Sequence, residues 1–105
     1  MAVGQNQPAV INGAAITAQG INSPLNLSAN TVVKAFKGRI VKVNVTTAGS
    51  TNGAIYDSAT IAGVAAANLV AVIPDVIGTY LIDFPCKNGI VFEPGTGQVV
   101  SLSYN

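Results

Sequence analysis

Histidine and tryptophan are absent from this sequence, and cysteine occurs once, at Cys86. Without histidine the chain lacks the commonest general base, the usual partner of a nucleophilic serine or cysteine, and the usual zinc ligand. One cysteine cannot form a disulfide within the chain. Three tyrosines and three phenylalanines offer few flat faces on which a sugar could stack. We therefore expect no enzyme, no metal site and no cofactor.

Charged side chains are also scarce. The 105 residues include five basic and four acidic ones, or 9%, where an average soluble domain has about 25%. Mean hydropathy is +0.50. Because a monomer needs surface charge to remain soluble, we expect much of the surface to be neutral and polar or covered by a partner, as in a homo-oligomer. The net charge of +1 creates no field that would attract nucleic acid.

A long hydrophobic run is missing as well. The longest apolar stretch without charge, residues 59–73, is shorter than the ~18 residues that cross a bilayer, and it contains Gly63 and Asn68. The first ten residues show neither the basic start nor the apolar run of a signal peptide. We expect a single domain without membrane contact.

The first third of the chain carries no ionisable side chain before Lys34. One interpretation is a hairpin around the Asn12-Gly13 turn signal. Another is an arm on a neighbouring subunit, whose amide side chains form hydrogen bonds without desolvating charge. The two are compatible, and we assign residues 1–30 to an N-terminal arm or hairpin that contacts a partner. The candidate contacts in this arm are Val3, Gln5 and Gln7.

The remaining residues, 31–105, show the patterns of short strands. Residues 38–49 alternate, with Val41, Val43 and Val45 on one face, and residues 78–84 and 98–104 alternate in the same way. Residues 59–68 predict a loop or a very short helix. Turn signals recur every 8 to 12 residues, which is typical of antiparallel sandwiches and barrels. The predicted fold is all-β, an antiparallel jelly-roll-like β-sandwich with an extended N-terminal arm.

Three alternating side chains, Tyr80, Ile82 and Phe84, predict the buried face of the strand over residues 78–84. The Asn88-Gly89 pair that follows predicts a tight hairpin turn with both residues at positive φ.

Cys86 precedes this turn and has Lys87 beside it. A nearby cation lowers the pKa of a thiol, but neighbours on a strand point to opposite faces, so Cys86 is interpreted as a small buried hydrophobe. Asp57 and Asp75 lie in turn sequences, where such side chains bond their own backbone.

One cluster of positive charge stands out. Lys34, Lys37, Arg39 and Lys42 are four of the five basic residues and lie within nine positions. Two interpretations remain open. Lysines on an exposed strand edge prevent pairing with other sheets, and the same group of charges suits an electrostatic contact with an acidic partner surface.

The carboxy-terminal half resembles a family of small virion proteins of tailed bacteriophages, the capsid decoration or cement type. The resemblance rests on residues 53–58 (GAIYDS), 66–74 (AANLVAVIP) and above all 78–104 (GTYLIDFPCKNGIVFEPGTGQVVSLSY), and it extends over roughly residues 31–105. It implies a β-sandwich that binds and stabilises a capsid shell, often as a trimer, with the major capsid protein as partner. The implied location is the capsid exterior, after synthesis in the host cytoplasm. No catalytic residue comes with it.

A different class of function remains open beside this one. The chain fits a component of a phage tail or fibre as well as a capsid protein, since both need the same rigid, neutral sandwich. A carbohydrate-binding module is the other alternative, and the few aromatic side chains favour it less. The sugar-binding version predicts a concave apolar and aromatic site that uses some of Tyr56, Tyr80 and Phe92.

Overall fold

The structure is a computed structural model that describes residues 20–105, and these residues form two antiparallel β-sheets. The strands are β1 (Thr31–Lys34), β2 (Gly38–Thr47), β3 (Gly53–Tyr56), β4 (Leu69–Ile73), β5 (Gly78–Cys86), β6 (Ile90–Glu93) and β7 (Val99–Tyr104). One 3-10 turn, Ala66–Asn68, precedes β4, which confirms the prediction of a loop or very short helix over residues 59–68. No helix among residues 20–105 is long and apolar enough to cross a membrane.

The two sheets have the strand orders β1-β6-β3-β4 and β5-β2-β7. The described part of the predicted arm lies along the outer edge of β7. There Asn22 pairs with Tyr104 and Leu27 pairs with Val100, through main-chain hydrogen bonds of 2.7–3.0 Å. Residues 22–27 therefore extend the three-stranded sheet by one short segment.

The hydrophobic core draws on both sheets, as it does when two sheets pack face to face. The three-stranded sheet contributes Ile40, Val43, Val45, Cys86, Val100 and Leu102, and the four-stranded sheet contributes Ile55, Ile73, Ile90 and Phe92. The predicted all-β class with antiparallel sheets is confirmed, and the arrangement is compatible with a β-sandwich.

Strand β2 shows the predicted alternation from Lys42 to Val45, whereas before Lys42 the core side chain is Ile40 and not the predicted Val41. Val43 and Val45 are buried, while Lys42 and Asn44 are exposed. Val41 is buried next to Ile40 because the pairing of β2 with β5 and with β7 shifts register at this point. Such irregularities bend a strand and increase its local twist.

Strand β5 departs from its predicted alternation near its end. Tyr80 and Ile82 pack against the core as expected, but the prediction for Phe84 is wrong, because its side chain is 45% exposed. The preceding residue, Asp83, has a positive φ of 49°, and an extra residue of β5 lies there in the pairing with β2. Phe84 still pairs with the core residue Ile40, and its side chain is partly exposed because β5 is the edge strand of its sheet.

The predicted hairpin at Asn88-Gly89 is also wrong. Strands β5 and β6 belong to different sheets, and neither Asn88 nor Gly89 has a positive φ. Residues 87–89 instead cross from one sheet to the other. A glycine is needed at 89 because of close packing: a Cβ there would lie 2.5 Å from the main-chain oxygen of Ser58 and 2.6 Å from that of Lys34.

The carboxylate of Asp57 holds this crossing. It accepts hydrogen bonds from the main-chain N–H groups of Lys87 (3.0 Å), Asn88 (2.7 Å) and Gly89 (3.4 Å). The expectation that Asp57 bonds its own backbone is therefore wrong, since its partners lie some thirty residues away in sequence. Ser58 makes the local turn instead, because its hydroxyl bonds the main chain of Thr60.

Gln98 is a buried polar side chain that joins two loops. Its Oε1 accepts from the N–H of Gly95 at 3.0 Å, and its Nε2 donates to the carbonyl oxygen of Pro74 at 2.9 Å. We expect Gln98→Leu to lower the free energy of unfolding by about 2 kcal/mol, because both main-chain groups lose their partner in a buried place. Urea denaturation measures the change.

Asn44→Leu is the control for Gln98→Leu, since it makes the same amide-to-leucine change at an exposed position of β2. It is expected to stay within about 0.5 kcal/mol of the parent. Equal stability of the Gln98→Leu protein and the parent would contradict the structural role of this amide.

Candidate functional site

A basic cleft lies at one end of the two sheets, where the β1–β2 and β5–β6 connections cross between them. We call it the end cleft. Its volume is about 470 Å³, and it is open to solvent on one side. Four basic side chains surround it, Lys34, Lys37, Arg39 and Lys87, and Pro85 and Cys86 form an apolar part of its wall.

Close packing at Gly38 shapes the cleft. The Lys34 side chain passes over Gly38, and its Nζ donates to the main-chain oxygen of Asn105 at 3.0 Å. A Cβ at position 38 would lie 2.7 Å from Cδ of Lys34 and 2.5 Å from the Asn105 oxygen. Main-chain hydrogen bonds between Arg39 and Asn105, of 2.9 and 3.3 Å, join the start of β2 to the end of β7. The Lys34 stem is thus held against the cleft wall.

The charges of the cleft are only partly balanced. Arg39 Nε lies 2.7 Å from Asp83 Oδ1 in an ion pair whose two side chains are 39% and 48% exposed, so the pair contributes little to stability. No ion pair involves Lys37 or Lys87 within residues 20–105. No carboxylate side chain lines the cleft. The site therefore presents net positive charge to solvent.

The thiol of Cys86 is not a reactive group of this site. The residue belongs to the hydrophobic core, and burial, together with the negative charge of Asp57, raises the pKa of the Cys86 thiol to about 11. A thiol with so high a pKa is protonated at neutral pH and is a poor nucleophile. The interpretation of Cys86 as a small buried hydrophobe is confirmed.

The structure brings together three of the four residues of the predicted basic cluster. Lys34, Lys37 and Arg39 line the end cleft, whereas Lys42 lies on the exposed face of β2 and does not line it. The fourth cation of the cleft is Lys87, which the sequence pattern did not associate with the cluster because fifty residues separate it from Lys37. The remaining predicted contacts, Val3, Gln5 and Gln7, lie outside the described residues.

Phe92 is excluded from the sugar-binding site that was predicted to use some of Tyr56, Tyr80 and Phe92. Phe92 is fully buried in the core and has no face to offer to a ligand. Tyr80 is partly buried against the core, and its hydroxyl donates to the carbonyl oxygen of Val76 at 2.8 Å. In the described part of the chain, no group of three or more histidine, cysteine, aspartate or glutamate side chains is placed to hold a metal ion.

Comparison of the chain with models of known protein families, with curated proteins and with solved structures finds no match. The resemblance to virion proteins of tailed phages therefore rests on the sequence stretches named above.

Proposed function

We propose that this protein is a structural virion protein that binds a bacteriophage capsid as an oligomer, a trimer by the family resemblance, and stabilises the shell. The observation that carries the proposal is the nested pairing of the strands. The covering of the β7 edge by residues 22–27 completes that pairing, and the exposed, charge-poor edge strands support assembly with other copies.

The pairing supports a jelly roll. With residues 22–27 counted as the first of eight strands, the antiparallel pairs are first with eighth (22–27 with β7), second with seventh (β1 with β6), third with sixth (β2 with β5) and fourth with fifth (β3 with β4). A long hairpin folded over on itself gives this set of pairs, which is the pairing of an eight-stranded jelly roll. Jelly rolls are common in viral capsid and lectin domains. The step from fold to function is an analogy, which the resemblance strengthens.

Two edge strands support oligomer formation. Strand β4 ends one sheet and β5 ends the other, and residues 43–86, which include both, contain no lysine or arginine. Exposed edges are normally protected by such charges. Six exposed apolar side chains lie on these strands and their connection: Leu69, Val72, Val76, Ile77, Leu81 and Phe84. A second copy of the chain would cover these side chains, with Lys42, which pairs with Leu81 across the sheet, as a cation beside them.

The oligomer is tested by sedimentation equilibrium at micromolar concentration. The parent chain of 10.6 kDa is expected to sediment as a trimer of about 32 kDa. Leu81→Lys is expected to dissociate it, because an ammonium group on the covered side would lose its hydration without a partner. The matched control is Leu25→Lys: Leu25 is 68% exposed and Leu81 69%, but Leu25 lies in the segment beside β7. A monomeric parent chain would refute the oligomer.

Shell binding is tested by co-sedimentation with capsid shells assembled from the major capsid protein of the same virion. The full chain is expected to sediment with the shells, and a variant without residues 2–20 is expected to stay folded but remain in the supernatant, because the arm contributes contacts. Circular dichroism checks the fold. Antibody labelling of intact particles adds the location: label on the tail instead of the capsid would contradict the proposal.

A further inference from the structure

We propose that the end cleft binds an acidic, extended peptide segment of a partner protein. This inference extends the proposed function, because the shell protein is then the natural source of the segment. It rests on the geometry of the cleft and on the distribution of charge over the molecule.

Charge supports an acidic ligand. Four of the five basic side chains of the chain surround the cleft, and the carboxylates nearest to them already have partners. Asp83 pairs with Arg39, and Asp57 accepts from the main chain of residues 87–89. Lys37 and Lys87 come from the two different connections and are the cations with most capacity for a new carboxylate.

Shape supports an extended peptide. Pro85, Cys86 and four cations line the cleft. Because Cys86 is 2% exposed, the apolar surface comes mainly from Pro85 and the aliphatic stems of the lysines. In an extended peptide successive side chains point to opposite sides, so a segment of alternating acidic and apolar residues turns its apolar side to this surface and its carboxylates to the cations. The volume of about 470 Å³ lies within the range of pockets that hold small ligands and matches a few residues of peptide.

The same observations disfavour nucleic acid. Binding of single strands uses a basic groove that follows many phosphates, with aromatic side chains on which the bases stack. Outside the cleft the chain has one basic side chain, Lys42, against four carboxylates, so no basic track continues from it. The exposed aromatic side chains near this end in the described residues are Phe36, in the β1–β2 connection, and Phe84, next to Pro85, too few to stack a series of bases.

The test measures binding of a fluorescein-labelled hexapeptide of alternating glutamate and valine to the full chain by anisotropy at low salt. Lys37→Ala combined with Lys87→Ala is expected to weaken binding about fivefold or more, because each exposed ion pair contributes a factor of roughly two to five. Added salt is expected to weaken it further. Lys42→Ala removes the same charge outside the cleft and is expected to change the dissociation constant less than twofold.

Chemical-shift mapping with the same peptide locates the site, and shifts are expected at the amides of Gly38, Cys86 and Lys87. Three results would overturn the inference: equal weakening by Lys42→Ala, equal binding of a peptide with glutamine in place of glutamate, or tighter binding of a hexathymidine strand. The experiment needs no shells and no trimer. A chain that binds the peptide in the cleft but neither trimerises nor binds shells would therefore refute the proposed function alone.

Discussion

Replacement of Phe92 by alanine is expected to lower the free energy of unfolding by about 3–5 kcal/mol. The side chain is fully buried and belongs to the core shared by the two sheets. On β6 it is paired with Thr31 of β1 and Ile55 of β3, so the surrounding backbone has little freedom to collapse into the cavity. A domain of this size is stable by about 5–15 kcal/mol, and the loss is thus a large share of the total. Urea denaturation followed by circular dichroism measures it.

Phe84→Ala is the matched control, since it removes the same atoms from a side chain that is 45% exposed. Its expected cost is about 1 kcal/mol, because less apolar surface returns to water and no closed cavity forms. The pair of variants tests the difference in burial between the two side chains directly. Equal losses from the two substitutions would mean that Phe84 is buried after all.

Replacement of Asp57 by alanine is expected to cost about 3 kcal/mol at pH 7. Hydrogen bonds to a charged acceptor contribute more than neutral ones, about 1.5–3 kcal/mol each before the exposure of the site is considered. Three such bonds hold the connection that carries the chain from β5 to β6. Asp57→Asn keeps the shape and one acceptor oxygen, so a smaller loss is expected. A loss below 1 kcal/mol for the alanine variant would show that the crossing is stable without this carboxylate.

The pH dependence of stability gives a second test of Asp57. Burial raises the pKa of its carboxyl, but the main-chain N–H groups of residues 87–89 and the charge of Lys87 outweigh burial, and the pKa lies below the ordinary value of 3.8. Because the folded state favours the ionised carboxylate, the stabilisation by Asp57 is fully present above the pKa that this carboxyl has in the unfolded chain. It is lost as the pH falls through the pKa that the carboxyl has in the folded protein.

Unfolding by urea at a series of pH values from 7 to 2 measures this contribution. We expect the parent to lose stability below about pH 4 and Asp57→Asn to show a flatter profile over the same range. Asp75→Asn is the control, because no hydrogen bond to the Asp75 carboxylate occurs in the described residues, and its profile should follow that of the parent. An Asp57→Asn profile as steep as the parent's would contradict the assignment.

Local pattern predicted much of the fold. The alternation of β2, the short strands β3 and β4, the loop over residues 59–68 and the strand that ends at Tyr104 follow from side-chain period and turn residues, which act over a few positions. The basic cluster was predicted, and Lys34, Lys37 and Arg39 of that cluster surround the end cleft together. Lys42 does not line the cleft and Lys87 does, since distance across the fold, which sequence spacing does not measure, decides their placement.

The sequence by itself determined that this is an antiparallel β protein with few charges, no histidine and a buried cysteine, because composition and period depend on the residues alone. Only the tertiary structure decided that Asn88-Gly89 joins two sheets and is not a hairpin. The reason is physical: a carboxylate at position 57, supplied from another part of the chain, satisfies the N–H groups that a hairpin ladder would otherwise have used. It likewise decided that Phe84 is partly exposed and Phe92 fully buried, because Phe84 lies on the edge strand β5, whereas Phe92 lies on β6 between β1 and β3.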